Sequence, residues 1–331
     1  MTDKLRPRSG ELSDPERSPG SISKGQLLED LRHIGVCEGD HIAVALSLRR
    51  VGTVQGRAEA FIDALLEAVG SGGTIMMNSH TPFFPVSQIE SSDPKYIFDY
   101  RSTPTWTGVV PEALRNRRAA LRSRHPICSV VAMGAKADHL AGGHDEDSPP
   151  YSPYSRLAEI GGKLLYVGLD DRMVAMRHEA QNLAGLMDVV PLEVAIRYLN
   201  PEDGRIELFR ATNVFSCVNN LSTLVPALRG MGLIVDGKIG AADSILAPAK
   251  AALLAMAEIL RGDPTKTLCR DFSCVWCREL ERRMDLRERI EDPEIFQKSR
   301  ALMEILGIIN QRRMRGSWAA IKGVGLLKKI F

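Results

Sequence analysis

What the chain lacks narrows the field first. No apolar run reaches the roughly 18 residues needed to cross a bilayer, and residues 1–25 contain no hydrophobic stretch of the kind a secretory signal requires. Both absences point to the cytoplasm and away from a membrane surface as partner. Neither sign of charge is in excess: 43 Lys and Arg stand against 41 Asp and Glu, a formal net charge of +2, so no global field favours nucleic acid. Cysteine is scarce, six in 331 residues. That is too few for a disulfide scaffold, and in a reducing compartment thiols serve burial, metal binding or chemistry. No internal repeat is visible. What remains, 44% hydrophobic and 25% charged residues, is the composition of a globular protein with one large domain or two average ones.

Residues 1–22 alternate charge with Pro, Ser and Gly and predict a disordered leader. Ser23 then caps a helical pattern in which Leu27, Leu28, Leu31 and Ile34 recur until Gly35. Residues 41–52 read as a buried strand running into a turn, 58–70 as an amphipathic helix and 72–79 as a short strand. Such a unit predicts a parallel strand pair. Residues 80–108 form a connector long enough to be functional or lid-like. Helical patterns follow at 109–121, 137–143, 178–187, 248–261 and 288–310, with strands at 128–134 and 161–169 and a weaker β-like stretch at 206–218. The expected fold is α/β, a central mixed sheet flanked by helices with a variable C-terminal helical extension. Its divisions are the leader 1–22, an α/β domain 23–265 and a Cys-containing extension with a basic tail, 266–331.

The order of short motifs carries a resemblance. Ser47-Leu48-Arg49 leaves the first strand, the stretch RS-x-HP-x-x-S runs from Arg122 to Ser129, and His144 lies nineteen residues after His125. The strand beginning Gly161-Gly162-Lys163-Leu164-Leu165 and the segment Arg177-His178-Glu179-Ala180-Gln181 complete the order. Over about residues 23–190 this resembles the aminoglycoside 3-N-acetyltransferase family. The resemblance implies an antibiotic-resistance type of enzyme that moves acetyl from acetyl-CoA to a small-molecule amine, on an aminoglycoside or amino sugar. Two departures stand out. Ala45 and Leu46 occupy places where the family generally has a His or polar pair, and Gln181 stands where it tends to have the Glu of His-x-x-Glu. They leave open a second reading, a non-catalytic, zinc-bound relative acting as a binding or assembly protein.

Acyl transfer to an amine needs a base near neutrality, because an ammonium has no lone pair. His144, after Gly142-Gly143 and before Asp145-Glu146-Asp147, is the sequence candidate, with one of those carboxylates or Glu179 orienting its ring. His125, held extended before Pro126, is a second catalytic candidate, or a structural ring bonded to backbone. Cys128 and Ser129 alternate sides of a strand, so only one faces the site. For the acetyl-CoA phosphates, Ser47, Leu48, Arg49 and Arg50 with Gly52 offer backbone donors and charge. Thr105 and Thr107 form a second donor-rich segment, or an N-cap cluster. Cys269, Cys274 and Cys277 follow C-x4-C-x2-C, with Cys217 upstream as fourth ligand for a structural zinc, or as buried free thiols. The basic, apolar-interleaved residues 311–331 suit an anionic membrane surface, the protein body or a second subunit of a homo-oligomer.

Overall fold

The computed structural model describes residues 20–89, 97–169, 174–189, 193–214, 216–217, 224–269, 271 and 273–284. The helical pattern at 288–310, the basic tail and nearly all of the leader lie outside them. Eleven strands are present among the described residues: β1 His41–Leu46, β2 Thr74–Asn78, β3 Phe84–Pro85, β4 Ile97–Phe98, β5 Leu121–Arg122, β6 Val130–Gly134, β7 Lys163–Val167, β8 Val194–Leu199, β9 Ile206–Ala211, β10 Val235–Ile239 and β11 Ala242–Pro248. The helices are α1 Lys24–Ile34, α2 Leu48–Val51, α3 Arg57–Val69, α4 Val86–Ile89, α5 Val109–Arg115, α6 Ala137–Ala141, α7 Ser152–Glu159, α8 Val174–Leu183, α9 Val225–Gly230, α10 Ala249–Gly262 and α11 Val275–Arg283.

Seven strands form one mixed sheet in the order β10-β11-β7-β1-β2-β6-β5. Its centre is the parallel trio β7, β1 and β2, with antiparallel neighbours on both sides. The period of two decides its faces. Ile42, Val44, Ile75, Met77, Val131, Leu165 and Val167 enter one apolar core with Leu27, Leu31, Phe61, Leu65 and Leu114 of α1, α3 and α5. Ala43, Met76, Val130, Ala132, Leu164 and Tyr166 enter the other with Leu140, Leu157 and Met256 of α6, α7 and α10. A smaller sheet is built on β8, which pairs along its length with antiparallel β9 and on its other edge with β3 and then β4.

Local signals place α1 as expected. The Ser23 hydroxyl accepts from the Gln26 N–H at 3.2 Å, and Gly35 closes the helix at φ 108°. The expected parallel pair is β1 and β2, joined through α3. The helix expected over 109–121 stops at Arg115, because the chain turns there to bring Leu121–Arg122 to the sheet edge. The β-like stretch 206–218 is strand only to Ala211, and Ser216 and Cys217 lie beyond it. β8 and the β10–β11 hairpin are additions that the sequence reading lacks. Among the described residues no helix is long and apolar enough to cross a membrane.

Candidate active site

The parallel trio points its carboxyl ends to one edge of the sheet, where ligands of α/β proteins bind. β1 delivers Ser47 there, β2 delivers His80, and β7 leads through Gly168 toward α8 and His178. Because β6 runs antiparallel, with Val130 opposite Asn78, the Arg122–Ser129 loop that precedes it arrives at the same edge. Gly168 adopts φ +65°, and a Cβ there would lie 2.8 Å from the Arg50 Cβ, so only glycine lets the Ser47–Gly52 turn sit against the exit of β7.

The Arg122–Ser129 motif is explained by its bonds. Buried Arg122 donates to Ser129 Oγ at 3.2 Å, to the Ser79 carbonyl at 2.8 Å and to the Thr103 carbonyl, tying three segments together. Burial pushes its pKa down to about 9. His125 Nδ1 accepts the backbone N–H groups of Ile127 (3.2 Å) and Cys128 (3.0 Å). Its proton therefore sits on Nε2, and the ring has no lone pair left to act as a base. The structural alternative for His125 is the one these bonds fit. Cys128 is buried and burial pushes its thiol up to about 12, which removes it as a nucleophile at neutral pH.

His144 stacks on His125 with ring centroids 4.9 Å apart. Its Nδ1 lies 3.0 Å from Ser123 Oγ, and that oxygen already accepts the Val130 N–H at 2.9 Å. With Ser123 donating to His144 Nδ1, the ring proton sits on Nε2, on the side of the Pro149 carbonyl. Burial, then the Arg156 charge, pushes the ring down to about 3. Among the described residues no carboxylate is hydrogen-bonded to it. Asp145 is held by Ser148 and Arg124, Glu146 by the Tyr198 hydroxyl, and Glu179 by Ser155 and Asn182. Glu179 is 2% exposed, and its carboxylate is bonded from α7 and from its own helix.

A second histidine network lies beside this one. His178 Nδ1 is 2.8 Å from Gln181 Oε1 and 2.7 Å from Ser216 Oγ, while Ser216 donates to Gln181 Oε1 at 2.9 Å. The Gln181 amide nitrogen donates to Thr267 Oγ1, which places the amide oxygen toward the ring. An amide oxygen only accepts, so His178 carries its proton on Nδ1 and keeps its lone pair on Nε2. Burial, then the neighbouring Arg177 charge, pushes its pKa down to about 3, opposed by the Gln181 bond. Tyr151 connects this ring to half-buried His80, with centroids 5.1 Å from His178 and 6.3 Å from His80. Burial holds His80 at about 4.

Of the residues named for the cofactor, Ser47, Leu48, Arg49 and Gly52 share the turn that follows β1, where Arg49 and Arg50 are exposed. Thr105 and Thr107 are engaged with the end of β2. Thr105 donates to the His80 carbonyl at 3.0 Å and Thr107 to the Asn78 carbonyl at 2.5 Å, so they fix the end of β2 and the backbone of His80. Nor do they cap α5, whose N-cap is Gly108. Sequence reasoning missed His80, Ser216 and Thr267, and it registered Gln181 only as a departure. A signal for the first was its position just past a buried parallel strand, and for Gln181 the one-turn spacing from His178. The four cysteines converge in a separate apolar cluster.

A family model described as aminoglycoside 3-N-acetyltransferase matches residues 44–261. Aminoglycoside N(3)-acetyltransferase VIII of Streptomyces fradiae is 36% identical over 179 residues, covering 50% of this chain and 63% of that protein, so the chain spans less than two thirds of this relative. Aminoglycoside N(3)-acetyltransferase VII of Streptomyces paromomycinus is 30% identical over 270 residues, covering 72% of this chain and 92% of that protein. Among solved structures, AAC-IIIb in a binary complex with CoASH superposes with a TM-score of 0.62 at 26% identity, covering 73% of this chain and 97% of that one.

Proposed function

The chain belongs to the aminoglycoside 3-N-acetyltransferase family, and from that premise we propose that it transfers acetyl from acetyl-CoA to an amine of an aminoglycoside. The observation that carries the reading is the buried trio of His178, Gln181 and Ser216. The acceptor nitrogen must meet the thioester carbonyl as a neutral amine, and its proton must go to a base as the N–C bond forms and the C–S bond breaks. Nε2 of His178 is the lone pair offered by the Gln181 and Ser216 bonds. The proton it takes can then pass to the departing sulfur, leaving free CoA and an N-acetyl product.

Burial keeps the His178 ring neutral at physiological pH, with its Nε2 lone pair unprotonated; a ring held at about 3 is a weak base, so it takes the proton only as the attacking amine becomes acidic on bonding to the carbonyl. His144, the base the sequence points to, is the competing assignment; it requires the opposite direction for the Ser123 bond. His125 and His144 then form the packed wall of the site, and Glu179 braces α8 against α7 through Ser155. Acetyl-CoA fits the Ser47–Gly52 turn in chemistry, because exposed Arg49 and Arg50 supply charge for its phosphates. The reaction belongs in the cytoplasm on this reading, in keeping with the lack of a membrane-length apolar helix among the described residues.

The test is release of free thiol from acetyl-CoA with a panel of aminoglycosides and simple amino sugars, with the N-acetyl product identified by mass spectrometry. Turnover with an aminoglycoside is expected. A folded protein that binds acetyl-CoA and turns over with no amine would overturn the enzymatic reading in favour of a binding protein.

A further inference from the structure

The third apolar cluster is small, and half of its buried members are cysteines: Cys217, Cys269 and Cys277 with Leu268, Trp276 and Leu280. Cys274 packs against them. These four thiols come from three places in the chain: the segment after β9, the approach to α11 and its first turn. Their sulfurs all lie within 4.8 Å of one another, and Cys269 and Cys277 are 3.6 Å apart. Four thiolates at ~2.3 Å around one zinc stand about 3.8 Å from each other in a tetrahedron. None of the four is joined in a disulfide. A cluster of several irons would hold its cysteine sulfurs further apart, so the spacing suits a single ion. Two further features fit a thiolate cage. The Cys269 N–H points at Cys277 Sγ at 3.2 Å. Buried Arg177 donates to the Cys217 carbonyl, placing positive charge beside a group that as a zinc tetrathiolate carries excess negative charge, while Arg278, ion-paired with Glu281, donates to the Cys269 carbonyl.

The residues next to these ligands are those that set the tautomer of His178. Ser216, which bonds both His178 Nδ1 and Gln181 Oε1, immediately precedes Cys217. Thr267, which holds the Gln181 amide, lies two residues before Cys269. Arg177, bonded to the Cys217 carbonyl, is the neighbour of His178 on α8. We propose that Cys217, Cys269, Cys274 and Cys277 bind one structural zinc ion, and that this ion braces the Ser216–Gln181–Thr267 network that holds His178. With four protein ligands the ion has no open position for water or substrate, so its part is positional. The bracing half of the proposal rests on the reading of His178 as the base; the metal half does not.

The experiment uses the full chain, produced with zinc supplied, and reads metal first. About one zinc per chain is expected by elemental analysis, with four thiols protected from a thiol reagent until a chelator is added. Cobalt substitution should show the absorption of a tetrahedral thiolate site. Cys274→Ala should lose the metal and Cys274→His should keep it, since imidazole is also a zinc ligand. Protein without metal, or with freely titrating thiols, overturns the site. For the bracing, the proton on His178 Nδ1 is followed by NMR as zinc is removed from the wild-type chain, a readout independent of turnover. That signal should be lost or shifted, and kcat should fall roughly 10- to 100-fold while acetyl-CoA affinity holds. An unchanged Nδ1 signal after zinc removal overturns the bracing. A chain that turns over no amine yet loses the signal with its zinc leaves the proposal standing and removes only the base assignment.

Discussion

His144 and His178 begin from the same pairing, a buried imidazole with Nδ1 on a serine hydroxyl, at 3.0 Å for Ser123 and 2.7 Å for Ser216. The difference lies in what the serine does with its other bond. Ser123 accepts a backbone N–H from Val130, and its own proton is available to the ring. Ser216 donates to Gln181 Oε1, so it receives the proton of the ring. One histidine ends with N–H at Nε2 and the other with a lone pair there, although both are uncharged at neutral pH. Proton flow in a buried site is set by the outer partner of the hydroxyl, and the identity of the titrating residue alone does not reveal it.

The largest test of that contrast is His178→Ala against His144→Ala. Loss of a general base costs ~100- to 10,000-fold in kcat/KM, and that loss is expected at His178. At His144 the loss is expected to be structural: a void beside His125 and Ser123, about 1 to 3 kcal/mol of stability, and a much smaller change in turnover. Steady-state kinetics on folded variants decide the matter. If His144→Ala loses as much as His178→Ala with its melting temperature preserved, the base is His144 and the Ser123 proton runs the other way.

Three rings, those two and His80, should behave alike toward acid. His80, His144 and His178 are held at about 4, 3 and 3 by burial, against about 6.5 in an unfolded chain. Between these values the unfolded chain binds protons that the folded chain does not. Stability is therefore complete above about pH 6.5 and falls as pH drops toward the folded values, at up to about 1.4 kcal/mol per pH unit for each ring. Melting curves from pH 7 to pH 4.5 should show this fall, and His144→Gln should flatten it. A melting temperature independent of pH over that range would show that the rings are not buried as neutral groups.

A finer distinction comes from Gln181→Glu. A carboxylate facing His178 Nδ1 favours the imidazolium, so the pKa of the ring should rise and the acidic limb of kcat/KM should move to higher pH. The same substitution leaves the His144 ring untouched. An acidic limb that stays in place in Q181E would show that His178 does not govern it.

How much of this was legible in the sequence follows from the distance over which each bond acts. Ser23, Gly35, the parallel pair β1 and β2, and the Arg122–Ser129 loop rest on neighbours close in the chain, and the pattern of residues carries them. Three of the four clustered cysteines are spaced within nine residues, so their convergence was also readable. The direction of the protons was not. The Ser216–His178 bond spans 38 residues and the Gln181–Thr267 bond spans 86, and no local spacing announces either. β8 escaped for a related reason: it forms the centre of the small sheet only because β3, β4 and β9 arrive from elsewhere in the chain.

The smallest expected effect separates the buried rings from the exposed turn that leads to them. Arg49 and Arg50 stand in solvent after β1, packed close enough to the exit of β7 that Gly168 has no room for a side chain against Arg50. Charge in that setting attracts phosphate through water and is screened by salt, with a range of about 10 Å at 0.1 M. Each such exposed pairing is worth ~0.2 to 1 kcal/mol, so Arg49→Ala combined with Arg50→Ala should weaken acetyl-CoA binding several-fold at low salt and hardly at all at high salt. His178→Ala should show the reverse pattern, with lost turnover and an affinity that follows salt as the wild type does, because a neutral ring makes no long-range contribution. Calorimetric titration of acetyl-CoA into the three proteins at two ionic strengths reads both. If the double variant binds as the wild type does at low salt, the phosphates are held elsewhere on this edge of the sheet, and the Ser47–Gly52 turn serves only to carry β1 into α3.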